Sequence, residues 1–342
     1  SRGFFAFNDL LENQEKSAYT KWFHINKFPI EAYPDGNASS YVGWWDYKSL
    51  PKFNTQNPSV RQYLLNIAQY WIEQGADGWR LDVPNEIDDD NFWAEFRHIV
   101  KSVNRDAYLL GEIWTSDQRW IGPDHFDGLM NYPLREALLE FLEGTLSATG
   151  FANRVETSLT LYPRENVYAM YNLIGSHDTE RIRTRLNIDL NQVKTAFAFL
   201  FAFPGAPAVY YGDELGLAGG KDPGCRGAFP WNKEKWPVEL YAWVKNLAHI
   251  RKRFAALRRG DFTTLLKDDR RRCIAFARKL GEQAVVLAMN ASPTPRILHI
   301  PVGNLGWTDG LIIHDLIGYA EYLVSGDTFI VRLPAWGSAW IG

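Results

Sequence analysis

Three acidic residues each stand at the end of a short apolar segment that is typical of a buried strand. They are Asp82 after GADGWRL, Glu112 after AYLLG and Asp178 after NLIGSH. Glu112 follows Asp82 by 30 residues and Asp178 follows Glu112 by 66, which correspond to one and about two strand–helix units. A β/α barrel builds its acid/base site from side chains at the carboxyl ends of its strands. This spacing therefore predicts parallel strands that carry acidic groups at one end.

Helices and strands alternate through the middle of the chain. Helical periodicity predicts helices over 57–75, 88–104, 134–144, 192–205 and 238–257. Apolar segments predict strands over 76–83, 107–114, 126–134, 166–178 and 206–216. A stretch rich in Ser and Thr, 145–165, is predicted to be irregular. Such alternation implies an α/β fold with a parallel sheet and right-handed crossovers. Five strands suit an open doubly wound sheet, whereas a closed barrel needs eight, so the residues alone leave both architectures open.

Both ends of the chain differ from its middle. Short apolar segments separated by turns follow Gly260 and predict an antiparallel β-domain without helices. Its strands are predicted over 273–280, 281–290, 296–303, 310–317 and 328–342. The first 56 residues are aromatic and are predicted to be irregular. We therefore predict three domains, over 1–56, 57–259 and 260–342.

Composition excludes several classes of partner. The 37 basic and 40 acidic residues give a net charge of −3, which favours neither nucleic acid nor an anionic membrane surface as a partner. The 14 Trp, 16 Tyr and 20 Phe mildly favour a carbohydrate ligand, because aromatic faces stack on sugars; core packing explains most of them equally well. Two cysteines form neither a disulfide framework nor a metal pattern. They favour a reducing compartment, so we expect a cytoplasmic protein, with secretion not excluded.

The side chains around the three carboxylates suit acid/base chemistry. Arg80 and Asp82 alternate onto one face of their strand, expected to be the barrel interior, where the guanidinium favours the ionised carboxylate that a nucleophile requires. Glu112 has apolar neighbours, which favour the protonated form of a general acid. Adjacent strand ends can hold two carboxyl groups about 5–5.5 Å apart, as retaining glycosidases do. His177 and Asp178 can bind sugar hydroxyls and stabilise a cationic transition state. Each residue taken alone also fits a structural role, such as a plain ion pair, a helix cap or a core histidine.

Taken together, these segments resemble signature regions of glycoside hydrolase family 13, the α-amylase family. The segments are GWRLDVPNE, GEIW and IGSHDTER. The tail VPNE is similar to the V-A-N-E of neopullulanases, cyclomaltodextrinases and maltogenic amylases, with Pro84 in place of Ala. The resemblance extends over the whole chain, through FFAFNDLLENQ, GWWDYKSLPKFN, PGAPAVYYGDELGL and the C-terminal β-domain.

The resemblance implies a catalytic role for each strand-end carboxylate. Asp82 would be the nucleophile, Glu112 the acid/base and Asp178 the transition-state stabiliser. Arg80 would orient Asp82, and His177 would bind hydroxyls of the sugar that is cleaved.

Further residues are implied in substrate binding. By resemblance to this subgroup, the residues on the acceptor side of the substrate site would include Asn85, Glu86 and Trp114. The donor-side glucose would be bound by a pair of opposite charge, Asp222 and Arg226. Trp44 and Trp45 are together a candidate stacking platform, although the Gly-Trp-Trp run that contains them could instead anchor the loop domain.

The start of the chain departs from the family pattern. The Asp-x-x-x-Asn-His signature of the third barrel strand normally precedes a stretch like SRGFFAFNDLL, and here the chain begins at Ser1. We therefore expect strands 4–8 of a (β/α)8 TIM-type barrel, followed by a C-terminal antiparallel β-sandwich. Residues 1–56 would be the loop domain that is inserted after the third strand. We hypothesise that the chain is a fragment or cleavage product, completed by an upstream segment.

The resemblance implies a retaining glycoside hydrolase acting on α-1,4 glucosidic bonds, with α-1,6 bonds as a further candidate. Its substrates would be cyclodextrins, pullulan, starch or maltooligosaccharides. The alternatives are an α-glucosidase or transglycosidase for short saccharides, and a non-catalytic carbohydrate-binding fragment. No cofactor is required; the resemblance allows Ca²⁺, for which no metal ligand is assigned. It also allows a homodimer or an association with the missing segment.

Overall fold

The computed structural model describes residues 1–33, 35–187 and 189–342. These residues form two compact units. The first contains 1–109 and 123–126, and the second contains 110–122 and 127–342. This division does not follow the three predicted domains, whose boundaries remain predictions.

The first unit contains three helices, one whole strand and the start of another. They are α1 (Phe5–Asn13), α2 (Pro58–Glu73), β1 (Gly78–Leu81), α3 (Asp90–Val103) and the first half of β2 (Tyr108–Gly111). The helices α2 and α3 confirm the predicted segments. Each begins at a polar cap, since the side chain of Asn57 accepts from the backbone N–H of Ser59 and that of Asp89 accepts from Phe92.

Helix α1 corrects the prediction that the first 56 residues are irregular. Its residues Ala6, Phe7 and Leu10 are fully buried, at the spacing of one helix face. They pack in a small aromatic core with Phe23 and Tyr41. The prediction was wrong because nine residues hold little more than two turns, too short for the periodicity to stand out among turn residues.

Strand β1 approaches the start of β2 closely. Tyr108 N donates to Asp77 O at 2.8 Å. A Cβ atom on Gly78 would lie 2.0 Å from Tyr108 O, so only glycine permits this approach. Every residue of β1 is partly exposed, and the strand lies at the edge of its sheet.

The second unit contains the remaining parallel strands. They are the end of β2, β3 (Gly128–Leu129), β4 (Tyr171–Leu173) and β5 (Ala206–Ala208). Leu110 pairs with Gly128, a bridge joins Met130 to Tyr171, and Tyr171 pairs with Ala206, all in parallel. The strands therefore neighbour one another in chain order, as in a β/α barrel.

Seven helices accompany these strands. They are α4 (Tyr132–Glu143), α5 (Ala148–Thr160), α6 (Arg164–Ala169), α7 (Ile182–Arg185), α8 (Leu190–Ala202), α9 (Val238–Arg253) and α10 (Ala255–Arg259). Helices α4, α8 and α9 confirm predicted segments. The single helix predicted over 238–257 is interrupted at Phe254, which separates α9 from α10. Helix α8 is mostly apolar and is almost completely buried, which makes it the central helix of this unit.

Two predictions in this unit were wrong. The segment 145–165 is not irregular, because α5 buries Phe151, Ala152 and Val155 at helical spacing. The strand predicted over 166–178 has only three residues, since its first part forms α6. Both predictions relied on composition, namely the Ser and Thr content of one segment and the β-forming residues of the other. The helices that form there are stabilised by tertiary packing, which overrides such local preferences.

The C-terminal part is antiparallel throughout. Its strands are β6 (Asp261–Asp268), β7 (Cys273–Leu280), β8 (Gln283–Asn290), β9 (Arg296–Pro301), β10 (Ile312–His314), β11 (Glu321–Leu323), β12 (Thr328–Leu333) and β13 (Ser338–Ile341). A four-stranded sheet has the order β13-β8-β7-β6, and β12 pairs with β9 and β10 with β11. The sequence prediction missed β6 and β11. The predicted fold class, an α/β barrel type with a C-terminal β-sandwich, is confirmed.

Strand β7 is buried on both faces. Ile274 and Phe276 pack into the core of the helices, whereas Cys273 and Ala275 pack into a second core shared with β9 and β12. The sheet is therefore the middle layer between helices and strands. This explains why β7 and β8 are almost continuously apolar instead of alternating.

Two buried arginines connect α8 to its surroundings. Arg251 donates to the carbonyls of Phe201, Phe203, Gly205 and Leu257. Arg278 donates to the carbonyls of Ala202, Leu257 and Gly260. Their charges lie at the C-terminus of α8, the negative end of the helix dipole. Burial lowers the pKa of Arg251 to about 9, which still leaves it charged at neutral pH.

We expect Arg251→Met to destabilise the protein by about 3–5 kcal/mol, because methionine fills similar space and leaves several buried carbonyls unpaired. Chemical denaturation at pH 7 measures this loss. Arg258→Met is the control, since Arg258 is exposed on the neighbouring helix and its replacement should change stability by less than about 0.5 kcal/mol. Equal, small effects of both substitutions would contradict the structural role of Arg251.

Candidate active site

Asp82 follows directly after β1 in the first unit. Arg80 Nη1 lies 2.5 Å from Asp82 Oδ1, so the two side chains share a face of the strand as predicted. The Asp82 side chain is 74% exposed, which corrects the expectation that this pair lies inside the barrel. The exposure arises because β1 is an edge strand whose residues are all only partly covered.

The turn after Asp82 is strained. Val83 has φ 34° and ψ 56°, a left-handed conformation that β-branched residues rarely adopt. Two hydrogen bonds close the turn, from Glu86 N to Val83 O at 2.9 Å and from Ile87 N to Pro84 O at 3.0 Å. Asn85 is exposed as a result, and Glu86 is half-buried. Backbone strain of this kind is concentrated at functional sites.

A cavity of about 470 Å³ adjoins Asp82 within the first unit. Two predicted site residues besides Asp82 contribute to its lining, Trp44 and Glu86. Lys52 also lines it and forms an ion pair with Glu86 at 3.0 Å. The sequence prediction did not include Lys52, although it lies in the segment GWWDYKSLPKFN on which the family resemblance partly rested.

In the second unit, Glu112 follows β2 and is 3% exposed. Ile113 beside it is equally buried, which agrees with the predicted apolar setting. Trp114 is half-exposed and stacks on Tyr132, with ring centroids 3.7 Å apart and an angle of 8°. Tyr132 is buried and donates to Ser176 Oγ at 3.3 Å. One face of the Trp114 indole therefore packs on Tyr132, while the rest of the ring is open to solvent. The sequence prediction did not include Tyr132.

His177 and Asp178 lie in the turn after β4, and the predicted donor-side pair lies with them. His177 Nε2 is 3.0 Å from Asp178 Oδ2. Arg226 contacts Asp178 Oδ1 at 3.2 Å and Asp222 Oδ1 at 2.5 Å, and its Nε donates to His177 O at 3.1 Å. The Cys225 thiol donates to the same carbonyl at 3.0 Å. The structure therefore brings these four predicted residues together, with Arg226 bridging two carboxylates.

A buried ion pair lies close to this turn along the chain. Arg181 Nη1 contacts Asp213 Oδ1 at 2.9 Å, and neither side chain is exposed. Arg181 also donates to Tyr211 O at 2.7 Å, and its backbone N–H donates to Gly219 O. Burial raises the pKa of Asp213 to about 7, against the opposing charge of Arg181. Asp213 Oδ2 has no hydrogen-bond partner among the described residues, which makes its ionisation unfavourable.

The motif HDTER contains Arg181 and the segment YYGDEL contains Asp213, so both were visible in sequence. A single sequence does not show that Arg181 and Asp213, which are 32 positions apart, form an ion pair. Within the described residues, no group of three or more His, Cys, Asp or Glu side chains is placed to hold a metal ion. No helix among them is long and apolar enough to cross a membrane.

Parallel strands with acidic ends, followed by an antiparallel sheet, define the chain as one of the β/α-barrel class. Residues 4–275 match the family described as alpha amylase, catalytic domain. The chain therefore belongs to the α-amylase family.

Individual relatives extend this comparison. A cyclomaltodextrinase of Geobacillus thermopakistaniensis is 41% identical over 337 residues, which cover 98% of this chain and 56% of the relative. Neopullulanase 2 of Thermoactinomyces vulgaris is 37% identical over 319 residues, 92% of this chain and 54% of the relative. The chain thus spans about half the length of these curated relatives.

Solved structures agree with the fold. The protein Ttha1563 of Thermus thermophilus has a TM-score of 0.92 and 38% identity, covering 99% of this chain and 74% of that one. A debranching enzyme of Nostoc punctiforme, soaked with acarbose, has a TM-score of 0.91 and 36% identity, covering 100% and 73%.

Stability should depend on pH through Asp213. Its pKa is about 7 in the folded protein and about 3.9 in an unfolded chain. The folded state therefore holds the proton more tightly, and the stability that this proton contributes is present below pH 4 and lost as the pH rises to about 7. Asp213→Asn mimics the protonated group, so its stability relative to the wild type should increase between pH 4 and 8, measured by urea denaturation.

The control for this comparison is Thr195→Val. Thr195 is also buried and donates to Trp336 O at 2.7 Å, but neither threonine nor valine titrates. Its stability difference from the wild type should stay constant over the same pH range. A constant difference for Asp213→Asn as well would contradict the proton uptake assigned to Asp213.

Proposed function

We propose that this chain carries the catalytic residues of a retaining glycoside hydrolase for α-1,4 and α-1,6 glucosidic bonds. Its substrates are cyclodextrins, pullulan, starch and maltooligosaccharides. The observation that carries the proposal is that Asp82, Glu112 and Asp178 each follow a strand inside the region matched by the α-amylase family. The names of the relatives, cyclomaltodextrinase and neopullulanase, support the substrate class.

The proposed reaction is a double displacement. Asp82 attacks the anomeric carbon while Glu112 protonates the departing glycosidic oxygen, which gives a covalent β-glucosyl intermediate on Asp82. Glu112 then removes a proton from water, which attacks the same carbon and releases Asp82. Glu112 is buried, and Arg80 lies in contact with the Asp82 carboxylate, which supports the orientation of the nucleophile. Asp178 stabilises the positive charge that develops on the sugar.

The remaining residues are proposed to bind substrate. His177 and the pair Asp222 and Arg226 would bind hydroxyls of the donor sugars, which their mutual hydrogen bonds and ion pairs support. On the acceptor side, Asn85, Glu86 and Trp114 would contact the leaving sugar. The ion pair with Lys52 fixes the position of the Glu86 carboxylate, and the support of Tyr132 fixes the plane of Trp114.

A non-catalytic carbohydrate-binding role is the alternative from another class. The 74% exposure of the Asp82 side chain favours it, because covalent catalysis on a sugar works best where water is excluded. The aromatic and charged groups that would bind an α-glucan are the same in both cases. The two functions differ in turnover alone.

We also propose a cytoplasmic location. Cys225 and Cys273 are both free thiols in buried positions, which supports a reducing compartment. One relative is named intracellular maltogenic amylase. The reaction as written needs no cofactor; Ca²⁺ and a homodimer remain predictions from the family resemblance.

The test is product analysis after incubating the chain with β-cyclodextrin, pullulan and starch. We expect the wild type to release maltose or panose, and Asp82→Asn and Glu112→Gln to lower the rate at least about 10³-fold, because each removes a group that forms or breaks a bond. Glu282→Gln is the control, an equally small change at an exposed carboxylate in the turn between β7 and β8. It should leave the rate unchanged.

Nuclear magnetic resonance of the first products decides the stereochemistry. Retention at the anomeric carbon supports double displacement, and inversion would contradict it. Absence of products together with unchanged glucan affinity of Asp82→Asn would contradict hydrolysis by this chain alone and favour the binding role.

A further inference from the structure

Two adjacent tryptophans form a stack at the rim of the first unit's cavity. The rings of Trp44 and Trp45 are parallel, with centroids 4.5 Å apart and an angle of 7°. Trp44 lines the cavity that Asp82 and Glu86 also line. Trp45 is 71% exposed, so one face of its ring rests on Trp44 and the other faces solvent. A large flat apolar surface is therefore held open beside the candidate site.

The backbone that presents Trp45 is strained. Trp45 has φ 45° and ψ 37°, and the next residue, Asp46, has φ 62°. Each bulky or charged residue in this left-handed region costs about 1–3 kcal/mol, and a glycine there would avoid the cost. Such strain persists only where the side chain has a use or the surroundings enforce the conformation.

The surroundings do enforce it. Trp44 N donates to Leu50 O at 2.8 Å and Tyr47 N donates to Trp44 O at 2.9 Å, which closes the turn on both sides. A Cβ atom on Gly43 would lie 2.4 Å from Tyr47 O, so the turn is also closed by a tight backbone contact. The backbone thus holds its shape through main-chain groups, without needing the Trp45 side chain.

We propose that the exposed face of Trp45 binds a glucosyl ring of an α-glucan chain, beyond the sugars held at the cavity itself. Aromatic faces stack on the C–H faces of sugars, and Trp offers the largest such face. The ligand class rests on the proposed function, whereas the platform rests on the stack and its exposure, with the ring held outward by the main-chain bonds of the turn. Anchoring a loop would require a buried ring, which Trp45 does not have.

The closing experiment compares Trp45→Gly with the wild type in the full chain. Binding of maltoheptaose is measured by calorimetry, and binding of soluble starch by native electrophoresis in starch-containing gels, both in the Glu112→Gln background so that substrate persists. We expect at least a ten-fold weaker affinity, of the size that loss of one central aromatic gives in other interfaces. The thermal midpoint should stay equal or rise, because glycine adopts this conformation without strain.

Trp71→Ala is the matched control. Trp71 is half-exposed on α2 in the same unit and does not line the cavity, so its replacement should leave glucan affinity unchanged. Unchanged affinity in Trp45→Gly would overturn the proposal. A fall of several degrees in its thermal midpoint would also overturn it, because the ring would then be a structural anchor.

The outcomes separate this proposal from the proposed hydrolase. If the chain binds starch through Trp45 but releases no products, the binding surface at Trp45 is supported and the enzyme assignment is contradicted. If the chain hydrolyses starch and its glucan affinity is the same with and without Trp45, the enzyme assignment is supported and the binding surface at Trp45 is contradicted. A wild-type chain that binds neither maltoheptaose nor starch overturns the platform outright.

Discussion

Buried guanidinium groups that donate to backbone carbonyls hold the second unit together. Its parallel strands have only two to four residues, so their ladders satisfy few of the carbonyls at strand and helix ends. Arg251 and Arg278 supply donors at the end of α8. Arg135 donates to a carbonyl just after β4, and Arg181 donates to one shortly after β5. Burying a charge is expensive, and it is tolerable for Arg251 and Arg278 because each of these guanidinium groups donates to several carbonyls.

The same interaction positions the candidate site. Arg135 Nε donates to Ile174 O at 3.0 Å, just before the turn that carries His177 and Asp178. Arg181, just after that turn, donates to Tyr211 O and pairs with Asp213. The turn is therefore held at both ends by buried side chains. This rigidity matters because acid/base and binding groups must stay within a fraction of an ångström of their working positions.

The sequence predicted the elements whose signal is local. Helix α2 was predictable from its cap at Asn57 and its apolar face, and β7 from its continuous apolar run. The strand-end carboxylates were predictable because a polar group after an apolar strand is itself a local pattern. Helix α5 was missed because its stability comes from packing of Phe151, which composition does not reveal. The exposure of Asp82 and the pairing of Arg181 with Asp213 depend on contacts distant in sequence, which one chain without relatives does not encode.

Two residues beside the cavity of the first unit have strained backbone conformations. Val83 and Trp45 both adopt left-handed conformations beside one cavity, although glycine would remove a cost of about 1–3 kcal/mol at each position. A folded domain is stable by only about 5–15 kcal/mol, so two such residues use a large share of that margin. At Val83 the sharp turn places Asp82 and Glu86 on the wall of the same cavity. At Trp45 it turns an aromatic face outward. At both positions the strained conformation therefore shapes the surface next to the cavity.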